Sequence, residues 1–497
     1  MTNAAAASAP TSHRVARNVM IMMLGQVLGM PLAMLINIFM GRRLGPGDYG
    51  QYYLLTTFAT LAFLFVDWGQ SSILPARIAN DRSLSGRYLG SALFWTLCGS
   101  LLAIAAMLSI FGLRSSSAPV LLAVTLVCVS QAFLLLAKTC ADAVRGFERN
   151  DISARMQFGT QFASALFVIP VLLLGGGLLS CLVAIAVAAL LVLIMVLRSL
   201  RGAGIGRLCV DTAMTRSLLQ AGTSFLILNL VLYLQPSIDA YFLNRYASAE
   251  AVGWYAASRK LINPLLFPAS ALVSALYPTL CRLWTQDVAD YARTARGALR
   301  AAIVITVPLS VGCAVFARLG IELFNADKFG PAQDNLRTLS IFLFLVYLSM
   351  VLGTSLNAAG KQRRWSIVQL GCIVVSLVLD PWLVPWFQLH AGNGGLGVSI
   401  ATVASETLML IAGIVLLPRG IIDRASWRCV LQALVAGGAM AACALALPSF
   451  NQWFVALLSV AVYAAVLYAV GGLPPDQLAL LRSLGRSNRA GSESVQT

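Results

Sequence analysis

Two adjacent basic residues, Arg259 and Lys260, stand inside a long apolar stretch of the chain. At a helical rise of about 1.5 Å per residue they would lie roughly 10 Å inward from Val252. A charge at membrane depth is costly, so each cation needs a partner or a wet cavity. Two neighbouring cations could together hold a multiply charged anion such as a diphosphate. The alternative is that both side chains snorkel to the outer headgroups.

Three carboxylates also fall within apolar stretches: Asp67, Asp239 and Glu406. A carboxylate at this depth can take up a proton or a sodium ion, or gate by changing its charge. Asp239 could pair with Arg259, or be satisfied at a helix end by Arg245 or water. For Glu406 a buried carboxylate bonded to a neighbouring helix is the favoured interpretation. Asp67 is the strongest of the three candidates for coupling.

One predicted helix face carries four charged residues at spacings of 4, 3 and 4: Lys138, Asp142, Arg145 and Arg149. Residues three and four apart lie side by side on a helix. The face could admit an anionic lipid headgroup, with Arg145 as the candidate contact. A solvated, positively charged helix end is the favoured alternative.

Prolines interrupt several of the apolar stretches. Pro31 and Pro236 fall at nearly equivalent points of the two halves described below, and Pro264 interrupts a later stretch. Proline removes a helix hydrogen bond and marks bends, which a rocking bundle can use as hinges. Static kinks are the alternative.

The elements that position these residues are long apolar helices. The chain has 497 residues, of which 59% are hydrophobic and 11% charged, so it is predicted to be an all-α integral membrane protein. The apolar runs give about 14 spans: 17–42, 49–74, 87–112, 118–141, 153–175, 177–198, 216–243, 251–281, 297–317, 335–358, 364–386, 394–417, 428–447 and 452–472.

A constant offset indicates a duplication. Arg42, Gly50 and Tyr52 recur 203 residues later as Arg245, Gly253 and Tyr255. We therefore predict two homologous six-helix lobes followed by two further helices. The predicted segments are a disordered tail (1–14), a first lobe (15–200), a cytoplasmic linker (201–215), a second lobe (216–418), two additional spans (419–475) and a cytoplasmic tail (476–497).

The basic residues orient the chain and limit its partners. Of the 35 basic residues, 26 fall in alternate loops and tails, which predicts that both termini are cytoplasmic. They are spread between apolar runs, so the formal charge of +16 fits anionic lipid rather than nucleic acid. The ten cysteines form no Cys-x-x-Cys pair, and no metal or cofactor site is predicted.

Several motifs resemble those of one transporter family. The runs 41–52 (GRRLGPGDYGQY) and 67–72 (DWGQSS) are similar to the amino-terminal signature of the polysaccharide transporter family. Further similar runs are 144–149 (VRGFER), 238–241 (IDAY), 253–255 (GWY) and 357–361 (NAAGK). This family belongs to the multidrug/oligosaccharidyl-lipid/polysaccharide exporter superfamily and includes O-antigen flippases.

The resemblance implies a two-lobed bundle of twelve helices with two more appended, a central cationic cavity and alternating access. It implies a cargo of polyprenyl-diphosphate-linked oligosaccharide, carried between leaflets of a bacterial inner membrane for O-antigen, capsule or exopolysaccharide. Arg259, Lys260 and Arg145 are then the candidate contacts of the sugar diphosphate. Related lipid II flippases carry charges in the first span, whereas Gln26 and Asn37 stand here. This departure disfavours a peptidoglycan precursor as cargo.

Two other functions compete with a flippase. A drug/cation antiporter of the same superfamily would favour acidic residues in its cavity, whereas the clearest pair here is basic. A membrane-embedded glycan polymerase or ligase would need a large loop with catalytic residues, and His13 and His390 are the only histidines. We expect no enzyme, a proton or sodium ion as coupling partner, and contact with polysaccharide polymerase or export machinery.

Overall fold

The structure, a computed structural model, describes residues 9–114, 117–201, 204–418 and 420–472, with side chains from Val27 onward except that of Arg114. All regular elements in these ranges are helical. The predicted tail 476–497 and residues 1–8 of the predicted tail 1–14 lie outside the described residues. The first helix already includes residues 9–14.

The helices follow one another with short connections, two of which are 3-10 turns at Arg82–Leu84 and Asn263–Leu266. The α-helices are α1 (Ala9–Asp67), α2 (Gln70–Asn80), α3 (Ser85–Arg114), α4 (Ala118–Arg145), α5 (Asn150–Leu173), α6 (Leu178–Leu200), α7 (Thr212–Tyr246), α8 (Ala249–Ile262), α9 (Phe267–Gln286), α10 (Val288–Val315), α11 (Ala317–Glu322), α12 (Ala326–Phe329), α13 (Ala332–Ala358), α14 (Gln362–Ala391), α15 (Gly394–Leu416), α16 (Arg424–Ala446) and α17 (Gln452–Ala469).

Within the described residues, 13 continuous helical stretches are long and apolar enough to cross a membrane. The first of them, Val27–Asn80, contains two of the predicted spans. The helix breaks at Gly45, where φ is 78° and ψ is 174°, a backbone conformation that glycine adopts without a Cβ clash. Division at this residue gives the 14 spans expected from the sequence, and the protein is an all-helical, multi-pass membrane protein.

The chain folds as two compact units that meet in sequence between Ala257 and Ser258. In the first unit, α1 packs on α5, α3 and α6 pack on α4, and α7 lies against α1, α2 and α3. Two apolar clusters fill this unit, one around Leu89 and Val144 and the other around Leu55 and Val127. Because α7 and the start of α8 pack onto the earlier helices, they belong to the first unit.

Glycines allow the start of α8 to approach α1 closely. A Cβ on Gly50 would lie 2.6 Å from the Ala249 carbonyl oxygen, and a Cβ on Gly253 would collide with the Pro46 carbonyl oxygen. Pro46 and Ala249 are 203 residues apart, as Gly50 and Gly253 are. The two halves of this contact therefore correspond at the offset seen in the sequence.

In the second unit, α13 packs between α10 and α15, and α14 packs on α15. Helices α16 and α17 pack on each other and on α10, where the Tyr463 hydroxyl donates to the Val304 carbonyl oxygen at 2.9 Å. At the N-terminus of α16, Asp423 accepts hydrogen bonds from Ser426 and from Arg300 of α10. Burial acts to raise the pKa of Asp423, but these bonds outweigh it and lower the pKa to about 2.

The described part of the predicted linker is fastened to the start of α3. Carbonyl oxygens of Arg207 and Cys209 occupy the space that a Cβ on Gly86 or Gly90 would need. Asp211 caps α7 and pairs with Arg87. The hydrogen bond from Arg87 and those from the backbone of α7 lower the pKa of Asp211.

Candidate functional site

A cavity of about 660 Å³ lies inside the first unit. It is bordered by both arms of α1, the start of α2, and one face each of α4, α5 and α7. Its polar lining residues are Thr60, Asp67, Ser71, Ser72, Gln131, Lys138, Gln157, Thr160, Gln161, Asn229 and Tyr233. A cavity this polar is unusual for helices that are otherwise apolar enough to cross a membrane.

Helical periodicity explains how the lining assembles. Thr60 and Asp67 are seven residues apart in the second arm of α1, and Gln131 and Lys138 are seven apart in α4. Side chains at this spacing share a helix face, because two turns of an α-helix contain 7.2 residues. Each helix thus turns a short polar stripe toward the cavity and keeps apolar residues elsewhere.

An ion pair joins α1 to α4 at the cavity wall. The Lys138 ammonium lies 3.4 Å from Asp67 Oδ1, and the Ser71 hydroxyl donates to Asp67 Oδ2 at 2.9 Å. The Lys138 side chain is 47% exposed and that of Asp67 is 11% exposed. Among the described lining residues these two alone carry charge. Lys138 can therefore meet an incoming anion if it leaves Asp67.

The remaining polar lining consists of amides and hydroxyls. The Gln131 amide donates to the Thr60 hydroxyl at 3.2 Å. Within the described part of the chain, the amides of Gln157, Gln161 and Asn229 form no hydrogen bond. Gln157 and Gln161 stand four residues apart on α5, so they present adjacent amides to the cavity. These groups can serve a ligand as donors and as acceptors.

The motif Asp67-Trp68-Gly69 joins the end of α1 to α7. Trp68 and Gly69 both have positive φ, 47° and 74°, which breaks the helix between α1 and α2. The Trp68 indole N–H points to α7, 3.2 Å from the Leu219 carbonyl oxygen and 3.3 Å from the Thr223 hydroxyl. The backbones of Gly69 and Gly222 are in contact. We call this set the Trp68 contact.

A second contact lies near the turn of α1 and joins α1 to α8. The Gly50–Gly253 approach is flanked by the rings of Tyr53 and Tyr255, whose centroids are 6.1 Å apart. The Tyr255 hydroxyl donates to Asp239 Oδ2 at 3.4 Å, and Asp239 is buried. The predicted gating residue Asp239 thus joins α7 to α8, and α7 is attached to the rest of the first unit at both ends.

Arg145 does not line the cavity. At the end of α4 it donates to Asp142 Oδ1 at 2.8 Å, and the Asp142 side chain is only 4% exposed. The four-residue face predicted from the sequence is therefore divided, because Lys138 points to the cavity while Arg145 neutralises a buried carboxylate.

Arg259, Lys260 and Glu406 belong to the second unit. The Arg259 guanidinium lies over the Phe342 ring, 5.3 Å from its centroid, and acts electrostatically on the buried Glu406 carboxylate. Two of the predicted site residues are thereby brought together across α8 and α15. Lys260 is half-buried next to Arg259.

The three predicted hinge prolines differ in their surroundings. Pro31 lies in the first arm of α1, before the break at Gly45, and Pro236 lies inside α7. Pro264 lies in the 3-10 turn that separates α8 from α9. Among the three, Pro264 marks a break in the helix, and the hinge role of all three remains a prediction.

Sequence reasoning assigned Lys138 to the solvated end of α4 and did not single out the amides. The spacing of Lys138 from Gln131 was the available signal, because two polar residues seven apart in an apolar helix indicate one wet face. Among the described residues, no three His, Cys, Asp or Glu side chains come close enough to hold a metal ion.

Sequence comparisons match the chain to two families. The model of the family described as polysaccharide biosynthesis protein matches residues 15–284, and the MatE model matches residues 225–382. The probable flippase AglR of Haloferax volcanii is 24% identical over 208 residues, which is 41% of this chain. The match spans 42% of the length of that relative.

Solved structures share the fold. The lipid II flippase MurJ in an inward closed conformation superposes with a TM-score of 0.72 at 13% identity, over 91% of this chain and 98% of that one. An inward-facing multidrug resistance MATE family transporter of the MOP superfamily gives a TM-score of 0.65 at 16% identity, over 82% of this chain and 96% of that one. At these identities the likeness concerns the fold alone.

Proposed function

Since this chain belongs to the polysaccharide biosynthesis protein family, we propose that it is a transporter that flips a lipid-linked oligosaccharide across the membrane. The cargo is a polyprenyl-diphosphate-linked repeat unit, moved from the cytoplasmic to the periplasmic leaflet of a bacterial inner membrane. The product serves O-antigen, capsule or exopolysaccharide synthesis. The names of the relatives support this reading, because one is a probable flippase and another is a lipid II flippase.

The observation that carries the proposal is the polar cavity within the first unit. Its volume of about 660 Å³ lies in the range of small-ligand sites, about 300–1,000 Å³. Polar groups inside a membrane bundle are expensive and are usually kept for a solute pathway. The headgroup enters the cavity in this mechanism, while the polyprenyl tail stays in lipid.

Movement of α7 gives the cavity access to one side at a time. Helix α7 meets α1 and α2 at the Trp68 contact, and α8, which Asp239 joins to α7, meets α1 at the Gly50–Gly253 approach. Opening one contact while the other holds produces alternating access, with Pro31, Pro236 and Pro264 as candidate hinges. In this cavity the diphosphate is attracted by Lys138. Arg145, Arg259 and Lys260 remain candidate contacts of the diphosphate from the sequence alone.

The driving force is the membrane potential or a gradient of protons or sodium ions. Asp67, Asp239 and Glu406 are the candidate coupling residues, because a carboxylate at membrane depth changes its interactions when it loses its charge. In our proposal both termini are cytoplasmic, as the distribution of basic residues favours. Polysaccharide polymerase or export machinery would receive the product.

The first experiment deletes the gene and locates the lipid-linked saccharide. We expect complete repeat units to accumulate on the cytoplasmic face, out of reach of an impermeant lectin added to right-side-out spheroplasts, and surface glycan to be lost. Accumulation on the periplasmic face would favour an enzyme that polymerises or ligates glycan. An unchanged lipid pool would contradict the flippase. Complementation with Arg259→Ala and Lys260→Ala should not restore export although the protein inserts.

A drug/cation antiporter is the second candidate, because the MatE model matches residues 225–382. Asp67 would then supply the negative charge for a cationic drug. The test is the susceptibility of the deletion strain to cationic dyes and drugs. Increased susceptibility with an unchanged lipid-linked saccharide pool would favour the antiporter.

A further inference from the structure

The amides of the cavity lack a role in binding a diphosphate. A multiply charged anion is best held by cations, yet the described lining has a single cation, Lys138, and Asp67 already pairs with it. Most of the polar lining is uncharged. The lining therefore suits a ligand that is rich in hydrogen-bonding groups and carries little charge where it touches the wall.

Three helices contribute amides to this wall. Gln131 comes from α4, Gln157 and Gln161 from α5, and Asn229 from α7. Gln131 has one hydrogen bond, to Thr60, and the other three have none to the described residues. An unsatisfied amide inside a membrane bundle costs free energy unless water or a ligand completes its hydrogen bonds.

Amide side chains match the chemistry of sugars. Each primary amide offers two N–H donors and a carbonyl acceptor with two lone pairs. Sugar hydroxyls both donate and accept, and an N-acetyl group presents an amide of its own. Adjacent amides such as Gln157 and Gln161 can therefore each engage a sugar group without placing a net charge in the cavity. Tyr233, four residues after Asn229 on α7, adds an aromatic face to the same wall.

We propose that the amides of Gln131, Gln157, Gln161 and Asn229 form a saccharide subsite that contacts hydroxyl and N-acetyl groups of the cargo. This inference rests on the proposed flippase function and assigns the part of the cargo that the first-unit cavity holds. The subsite selects lipids that carry sugar over the bare lipid diphosphate, because the sugar brings hydroxyl and N-acetyl groups that both donate to and accept from the amides.

The subsite also links recognition to movement. Asn229 lies on α7, whereas Gln157 and Gln161 lie on α5. A saccharide bonded to both helices holds α7 against the cavity, and its departure releases α7. Binding of the sugar therefore favours the conformation in which the Trp68 contact is formed.

The test is a competition for the purified full-length protein. A lipid extract of the deletion strain is mixed with synthetic undecaprenyl diphosphate, and the lipids that the protein retains are quantified by mass spectrometry. Wild-type protein should retain the saccharide-bearing lipid in preference to undecaprenyl diphosphate. The double variant Gln157→Met and Gln161→Met keeps the side-chain length but removes both amides, and should lower this preference about tenfold.

Two further variants sharpen the result. Asn229→Leu, on a different helix, should lower the preference about threefold, which guards against a local packing defect in α5. Gln286→Met makes the same chemical change at the exposed end of α9 and should leave the preference unchanged. Retention of undecaprenyl diphosphate alone should be equal in all variants, because the amides do not hold the diphosphate.

The outcomes separate this inference from the proposed function. If wild-type protein prefers the saccharide-bearing lipid and the amide variants keep that preference, the subsite is refuted and the flippase stands. If the deletion strain accumulates no saccharide-bearing lipid, or wild-type protein retains none, the proposed function fails and the subsite fails with it.

Discussion

Two regions of this protein place a cation near a carboxylate at membrane depth, in opposite surroundings. In the first unit, Lys138 and Asp67 meet at the wall of a polar cavity, and the Lys138 side chain is nearly half exposed. In the second unit, Glu406 is buried and Arg259 lies over the ring of Phe342. Because the Lys138 ammonium is exposed, it can exchange Asp67 for a ligand at modest cost, whereas a buried charge costs several kcal/mol to leave uncompensated. The first arrangement suits binding and the second suits holding helices together.

The largest expected effect is a loss of stability when the buried Glu406 is replaced. Glu406→Gln keeps the shape of the buried side chain but removes the negative charge that acts on Arg259, which should destabilise the protein by about 2 kcal/mol. The measurement is thermal unfolding of the purified protein in detergent. Asp67→Asn is the matched change beside Lys138 and should cost less, about 1 kcal/mol, because the exposed Lys138 ammonium can turn to water. Equal losses in the two variants would remove the distinction between the regions.

The next largest effect is expected on transport when Lys138 is replaced. Lys138→Met removes the single cation of the described cavity lining, so export of the lipid-linked saccharide should fall at least tenfold while thermal stability changes little. Surface glycan in the complemented deletion strain measures export. Lys328→Met, an exposed lysine on α12, is the control and should export normally. Normal export by Lys138→Met would exclude the cavity cation from function.

A smaller effect is expected where α8 approaches α1. Gly50→Ala places a methyl group 2.6 Å from the Ala249 carbonyl oxygen, so it should weaken this contact and cost about 1 kcal/mol. Gly47→Ala, in the same turn, meets no atom within 4 Å and should be neutral or slightly stabilising. Thermal unfolding compares the two glycine variants. Chemical labelling of a Tyr233→Cys variant reports whether the cavity opens. If Gly50→Ala and Gly47→Ala gave the same stability and the same labelling, the Gly50–Gly253 approach would have no role in opening the cavity.

The smallest effect is expected at Asp423, which caps the N-terminus of α16 and pairs with Arg300. The folded pKa of Asp423, about 2, lies below its ordinary value, so the charged carboxylate stabilises the fold above about pH 4. This stabilisation is lost as pH falls from about 4 toward 2. Because Asp423 is partly exposed, we expect about 1 kcal/mol or less. Asp423→Asn should flatten the pH dependence of thermal unfolding in this window, and an unchanged slope would contradict the assignment.

The fold was largely predictable from the sequence, whereas the cavity was predictable only in part. Long apolar runs gave the spans, because a membrane helix needs about 20 apolar residues, and the family resemblance was confirmed by the match over residues 15–284. Asp67 was found because a carboxylate is conspicuous in such a run. It lines the cavity, with Lys138 beside it.

Lys138 and the amides were harder to find for two physical reasons. A lysine at a helix end looks the same in sequence whether it meets headgroups or a cavity, because the rotation of the helix decides which. Glutamine is common enough on helix surfaces that Gln157 and Gln161 draw no notice until α4 and α7 are seen to face them. The placement of α7 in the first unit depends on backbone contacts at Gly69 and Gly222, which hydrophobic periodicity does not report.

The matching glycine contacts have a consequence for how the repeat evolved. Gly50 approaches Ala249 and Gly253 approaches Pro46, so each repeat meets the other through the same surface. Two identical copies in contact through such a surface would form a self-complementary dimer, in which every substitution is introduced twice. Fusion into one chain ended that constraint, because each side is now encoded separately. Arg259 and Lys260 stand where the first repeat has Thr56 and Thr57, a difference between the two sides that a dimer of identical chains could not have.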